Sequence, residues 1–149
     1  MRQENAKGFI MQEMTIADYD EVLALWRACE GVGLSDADSR EGIASFLDHN
    51  PGLGHVAHDG NELVGAILCG TDGRRGYIHH LAVSKHHRHQ GLGRALVGLC
   101  LDSLHQIGIQ KCHIFVFGDN ADAIAFWSKV SWTQRVELTI MSRVIKNED

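Results

Sequence analysis

Apolar positions along this chain switch between a spacing of two and a spacing of three to four, and the switches mark out alternating strands and helices. Phe9 to Met14 predicts an opening strand. Thr15 then caps a helix in which Ile16, Tyr19, Leu23 and Trp26 keep helical spacing as far as Glu30. Gly31 and Gly33 break that helix, and Leu34 to Asp38 reads as a loop. Ile43, Phe46 and Leu47 give a short second helix halted by Asn50 and Pro51, so that loop and helix together form a candidate flap. His55 to His58, the turn Asp59-Gly60-Asn61 and the run Leu63 to Cys69 predict a hairpin, followed by a loop from Gly70 to Gly76.

Tyr77 to Val83 alternates as a strand should, which sets Tyr77, His79, Leu81 and Val83 on one face and Ile78, His80 and Ala82 on the other. A helix from Gly91 to about Ile107 turns Leu92, Leu96, Leu99, Leu101 and Leu104 inward and stops at Gly108. Cys112 to Phe117 is nearly all apolar, the pattern of a strand buried on both faces. Ala123, Phe126, Trp127 and Val130 mark a further helix, and Trp132 to Val144 reads as one or two closing strands. No linker or repeat interrupts this order. A single domain over residues 1–149, with residues 1–8 as a flexible tail, is the expectation.

Composition narrows the class more than it defines it. The 149 residues, 44% hydrophobic and 22% charged, suit one soluble globular core. A formal net charge of -5 argues against broad binding to nucleic acid or to anionic membrane. The longest apolar runs are far too short to span a bilayer and the N-terminus is polar, so a cytosolic location is expected. Cys29, Cys69, Cys100 and Cys112 sit among apolar neighbours without close pairing and read as reduced core residues.

The segment with the most chemistry in it is Val83-Ser84-Lys85-His86-His87-Arg88-His89-Gln90-Gly91-Leu92-Gly93-Arg94, which leads from a strand end into the first turn of a helix. A helix N-terminus offers unpaired N–H groups and partial positive charge, and so favours an anion. Gly91 and Gly93 let the backbone come close to phosphate oxygens, and Arg88 and Arg94 add charge. A dinucleotide fingerprint needs a small residue where Leu96 stands, and a triphosphate loop needs Gly-Lys-Ser or Gly-Lys-Thr; neither pattern is met.

Leu81-Ala82-Val83, then Arg88-x-x-Gly91-x-Gly93, then Asn120, then Phe126-Trp127 to Trp132, resembles the GNAT superfamily of N-acetyltransferases over nearly the whole chain. The resemblance implies an α/β fold: a mixed, mostly antiparallel central sheet of about six or seven strands, flanked by about four helices. A splayed strand pair would form the cofactor cleft. It implies acetyl-CoA as co-substrate, with Arg88, His89, Gln90, Gly91, Leu92, Gly93 and Arg94 holding its pyrophosphate through main-chain amides. Leu81, Ala82 and Val83 would lie along the pantetheine arm, Asn120 would make a polar contact to the cofactor, and Phe126 would pack beside it. The implied acceptor is a small-molecule or peptide amine bound by a monomer or homodimer, with Glu30, Ser35, Asp36 and Asp38 lining its side of the site.

Transfer to an amine needs a base, because amines are mostly protonated at neutral pH. His79 is the candidate, by residue type and by its place on the same face as Leu81; some family members carry a histidine at the matching position. Its other reading is a half-buried strand residue bonded to a neighbour. The chain departs from the resemblance at Trp127, where many members carry a tyrosine that protonates the leaving thiolate; indole is no usable acid. Ser131 likewise replaces a usual glycine before Trp132. The histidines from His79 to His89 invite a metal reading, but neighbouring strand residues point to opposite faces and no carboxylate or cysteine completes a set, so no metal is expected. An acyl-CoA sensor without turnover is the alternative function, motivated by Trp127.

Overall fold

The computed structural model describes residues 3–4 and 8–145, and the chain divides into two compact units, residues 1–117 and 118–149. The first unit holds a mixed sheet in the order β1-β2-β3-β4-β5-β6. Its strands are β1 (Gln3–Glu4), β2 (Ile10–Glu13), β3 (His55–Asp59), β4 (Glu62–Thr71), β5 (Gly76–Val83) and β6 (Cys112–Ile114). All neighbours pair antiparallel except β5 and β6, which are parallel. Three helices belong to this unit: α1 (Tyr19–Ala28), α2 (Arg40–His49) and α3 (Leu92–Gln106). The second unit holds α4 (Ala121–Lys129).

β4 explains why the sheet is central. Leu63 to Gly70 are all buried, because a helix covers each face. On one face Val22, Leu25 and Trp26 of α1 pack with Val56, Ala66, Leu68 and Ala82 in a continuous cluster. On the other, α3 lies so close that a side chain on Gly65 would meet Leu96 Cδ1 at 3.0 Å, and one on Gly76 would meet Leu104 Cδ1 at 2.5 Å. The buried stripe of α3 is Leu92, Leu96, Val97, Cys100 and Leu104. Each of these large side chains contributes roughly 1.5–3 kcal/mol by leaving water. Leu101, expected inward, is 37% exposed because it falls outside that stripe.

Several expectations need correction. Within the stretch 1–8 expected as a tail, Gln3 and Glu4 pair with β2, and residues 1, 2 and 5–7 lie outside the described residues. Five strands make up the body of the sheet beside the two-residue β1, fewer than six or seven full strands. The shortfall is at the end of the chain: the segment 132–145 contains no strand, and Val136, Leu138 and Ile140 are exposed. Alternating apolar residues specify which face of a strand would be buried, but a strand also needs a neighbour for its amides.

The strand expected over Cys112 to Phe117 stops at Ile114, is only half buried, and leaves Phe115 and Phe117 exposed. Its cause lies in β5. Register with β4 runs Leu81↔Ile67 and His80↔Leu68, then Ile78↔Cys69, so His79 is one residue too many. A bulge of this kind bends its strand and ends regular pairing. Pairing of β5 with β6 ends at Ile78↔Ile114, where the bulge begins.

The four cysteines are free thiols; Cys29, Cys69 and Cys100 are buried and Cys112 partly so. Contact with Cys100 and burial push the Cys69 thiol up, and contact with Cys69 does the same for Cys112, so neither is a nucleophile. Among the described residues no helix is long and apolar enough to cross a membrane.

Candidate functional site

Two places in the first unit carry chemistry, both built on β5. The first is the loop from β5 into α3. After a single helical turn at Lys85–His87, His89 adopts φ 62 and Gly91 φ 82, two left-handed residues separated by one. Alternation of this kind turns successive amides toward a common centre. The N–H groups of residues 88–94 find no acceptor among the described residues, whereas their neighbours are engaged: Ala95 N donates to Gly91 O at 3.0 Å and His87 N to Ser84 O at 2.9 Å. A concave row of unpaired amides at a helix start suits a diphosphate. His87 braces the loop from behind, its Nε2 lying 3.1 Å from Asp59 Oδ2 on the β3–β4 turn.

Arg88 departs from the expected geometry. Its Nε donates to Val83 O at 3.2 Å, and its Nη2 lies 3.8 Å from Cys29 Sγ, so the guanidinium folds onto the end of β5. The Cys29 thiol also donates to Val83 O, at 3.6 Å. Leu81, Ala82 and Val83 follow the bulge and have no partner on the β6 side, since that pairing covers only Gly76 to Ile78. Their outer edge is open to an added strand or a strand-like ligand.

The second place is a cavity of about 600 Å³ between α2, the turn at Asp36–Asp38 and the bulge. Because His79 and His80 form the bulge, both line this cavity, which overturns the expectation that they point to opposite faces. His80 Nε2 is 2.8 Å from Asp38 Oδ1. A carboxylate only accepts, so Nε2 carries a proton, which in the neutral ring leaves the lone pair on Nδ1. Asp38 is only 8% exposed and held from three sides. Ser35 N donates to its Oδ2 at 3.0 Å, and the Tyr19 hydroxyl donates to its backbone oxygen at 2.7 Å. Trp26 closes the far side of His80, with ring centroids 4.7 Å apart.

Residues 34–49, expected as a movable flap, are therefore fastened at both ends. Gly42 lets α2 begin directly against the Ala37 carbonyl, and Asn50 Oδ1 accepts from Thr71 N at 2.9 Å while its Nδ2 donates to Phe46 O at 3.0 Å. Of the four acceptor residues expected, Ser35 and Asp38 line the cavity and Glu30 and Asp36 do not. Asp38 is occupied by His80 and Ser35 and is not free to hold a cation.

His79 has no hydrogen bond to its ring among the described residues; it meets Phe46 edge-on at 5.3 Å. Partial burial of its imidazole, reinforced by the neighbouring His80, lowers its pKa, against a smaller opposing pull from Asp38. His55 is lowered too, chiefly by burial. Both then bind fewer protons in the folded chain than in the unfolded one below the ordinary value of 6.5. Their share of stability is present above that pH and is lost as pH falls through the depressed folded values. The urea midpoint is expected to drop between neutral and mildly acid pH, and His55→Asn to flatten that drop; an equal slope in the variant excludes His55 as a cause.

In the second unit, Asn120 Oδ1 caps α4 by accepting from Ala123 N at 3.0 Å. Phe126 packs edge-on against Trp127 at 5.2 Å, and Trp127 is buried against Trp132 at 4.8 Å. Ser131 holds φ 77, the conformation a glycine adopts readily, so the turn keeps its shape at a cost of roughly 1–2 kcal/mol.

Comparison with known proteins identifies the family and the fold. The model of the acetyltransferase (GNAT) family matches residues 19–132. An acetyltransferase of Sodalis glossinidius is 30% identical over 133 residues, 89% of this chain and 93% of its own length. An N-acetyltransferase of Thermoplasma acidophilum, solved in complex with coenzyme A, shares the fold with a TM-score of 0.71 at 16% identity, covering 82% of this chain and 87% of that one. An aminoglycoside 6'-N-acetyltransferase of Acinetobacter haemolyticus superimposes with a TM-score of 0.75 at 14% identity, covering 91% and 99%. With a family match across most of its length and full-length acetyltransferase relatives, the chain belongs to the GNAT family of acetyltransferases.

Proposed function

We propose that this protein transfers an acetyl group from acetyl-CoA to a primary amine by direct attack in a ternary complex. The observation that carries the proposal is the placement, on one strand, of an amide cradle at one end and an Asp38-held imidazole at the bulge. Neighbours in this fold that act on amines or were solved with coenzyme A support it.

The amides of residues 88–94, with Arg94 beside them, would hold the pyrophosphate, and the open edge of Leu81 to Val83 the pantetheine arm. Pairing at Val83 O requires Arg88 to leave that oxygen, and a bound phosphate offers its guanidinium a stronger partner. Acetyl-CoA supplies an activated acyl group as a thioester. His80 takes the proton that the amine sheds on bond formation, and Asp38 stabilises the resulting imidazolium. His79, first expected as the base, lacks a carboxylate partner and is assigned the rim of the cavity. Indole is no acid for the departing thiolate, which leaves unprotonated or takes a proton from water or another residue.

Thiol release with acetyl-CoA and a broad panel of amines and peptides tests the whole proposal. Tight cofactor binding without turnover on any amine favours an acyl-CoA sensor instead. Gly91→Val tests the cradle: a β-branched residue at φ 82 is strained by roughly 1–2 kcal/mol and disturbs the amides. Calorimetry is expected to find CoA affinity at least about tenfold weaker with the fold retained; unchanged affinity excludes the cradle.

A further inference from the structure

The chain as a whole is acidic, which suits a polycationic acceptor; the cavity does not. Its lining has no lysine or arginine and only one carboxylate, Asp38, whose two oxygens are already taken by His80 and Ser35 N. Asp36, Glu41 and Asp48 stand on the same turn and helix but face solvent and do not line the space. Its exposed lining is mostly apolar, with Ile43, Leu68 and the Phe46 ring, and the His79 imidazole is set edge-on against Phe46 at 5.3 Å; His49 also lines it, its Nδ1 engaged at 2.7 Å with Ser45 O. Ser35 and Ser45 add uncharged polar contacts.

From this we infer that the cavity receives its acceptor as a single primary amine on an uncharged, largely apolar body, of the aromatic alkylamine class, and discriminates against polycations. The inference rests on the acetyltransferase reading of the same site. One amine is accommodated because it enters in its neutral form and His80 takes the proton it sheds on bond formation. A second ammonium group inside the cavity would lose its water and gain no free carboxylate, a large and uncompensated cost. His79 adds no charge of its own near neutral pH, since burial lowers its pKa. The Phe46–His79 pair instead offers an edge and a face against which an aromatic ring packs well. A cavity of about 600 Å³ has room for such a body and not merely for an ammonium group.

The test compares kcat/KM for 2-phenylethylamine and tyramine with that for spermidine and kanamycin at saturating acetyl-CoA. In parallel, saturation-transfer NMR reads binding of each amine to the protein–CoA complex. At least about tenfold higher kcat/KM is expected for the aromatic amines. Phe46→Ala, checked for an intact fold by its melting temperature, should raise their KM about tenfold with a smaller effect on kcat. Ser45→Asp should improve spermidine relative to 2-phenylethylamine. Polycations used as well as or better than aromatic amines overturn the inference and leave the acetyltransferase reading standing. Aromatic amines that bind the CoA complex but are never acetylated support the cavity assignment and overturn the enzymatic reading. Aromatic amines that neither bind nor react overturn the inference.

Discussion

Asp38→Asn is expected to lower kcat by about 10²-fold or more near neutral pH, within the range of general base contributions, while CoA affinity stays within about twofold. The reason is a count of acceptors. Two donors point at this side chain, Ser35 N–H and His80 Nε2–H, and an amide has one oxygen where the carboxylate has two. If that oxygen serves Ser35, the amide nitrogen faces His80 and forces its proton to Nδ1, leaving no lone pair for the amine. If it serves His80, the partly buried Ser35 N–H loses its acceptor, at a cost of about 1 kcal/mol. Steady-state kinetics with a melting curve separates the two: loss of kcat with a modest fall in stability is the expected pair. Full activity in a folded variant removes Asp38 from the chemistry.

His80→Gln should be the most damaging single change at the site, lowering kcat/KM by about 10²–10⁴-fold. His79→Gln should cost less than about tenfold, since a rim residue alters fit rather than proton transfer. The pair Asp38→Asn and His80→Gln should be hardly worse together than His80→Gln alone, as expected of groups that act as a unit. The opposite ranking of the two histidines returns the base to His79.

Period-two alternation carries no sign of an extra residue, so the strand from Tyr77 to Val83 reads as regular, and His79 and His80 separate onto opposite faces. The bulge brings both to one cavity and gives the carboxylate to His80. Asp38 stood among three acidic candidates in one loop, and its partner is 42 positions away. A local signal was present: Ser35-Asp36-Ala37-Asp38 has the spacing of a capping box, which predicts a structured turn and a restrained carboxylate. The passage from β5 through the glycine loop into α3 was legible because strand, loop and helix start are all local features. That Ser131 stands in place of a glycine came from the family resemblance, and its φ of 77 agrees. The closing strands from Trp132 were not legible, because pairing depends on an edge elsewhere in the chain.

The surplus residue in β5 makes strand parity part of the chemistry. Up to Ile78 the strand counts in step with both neighbours, and each side chain there answers to packing. From His80 onward it counts one position out of step; it stays paired with β4 and keeps Ala82 in the core, while the edge beyond β6 answers to whatever can approach from solvent. Two kinds of selection thus meet within eight residues, and a change tolerated on one side of His79 carries no licence for the other.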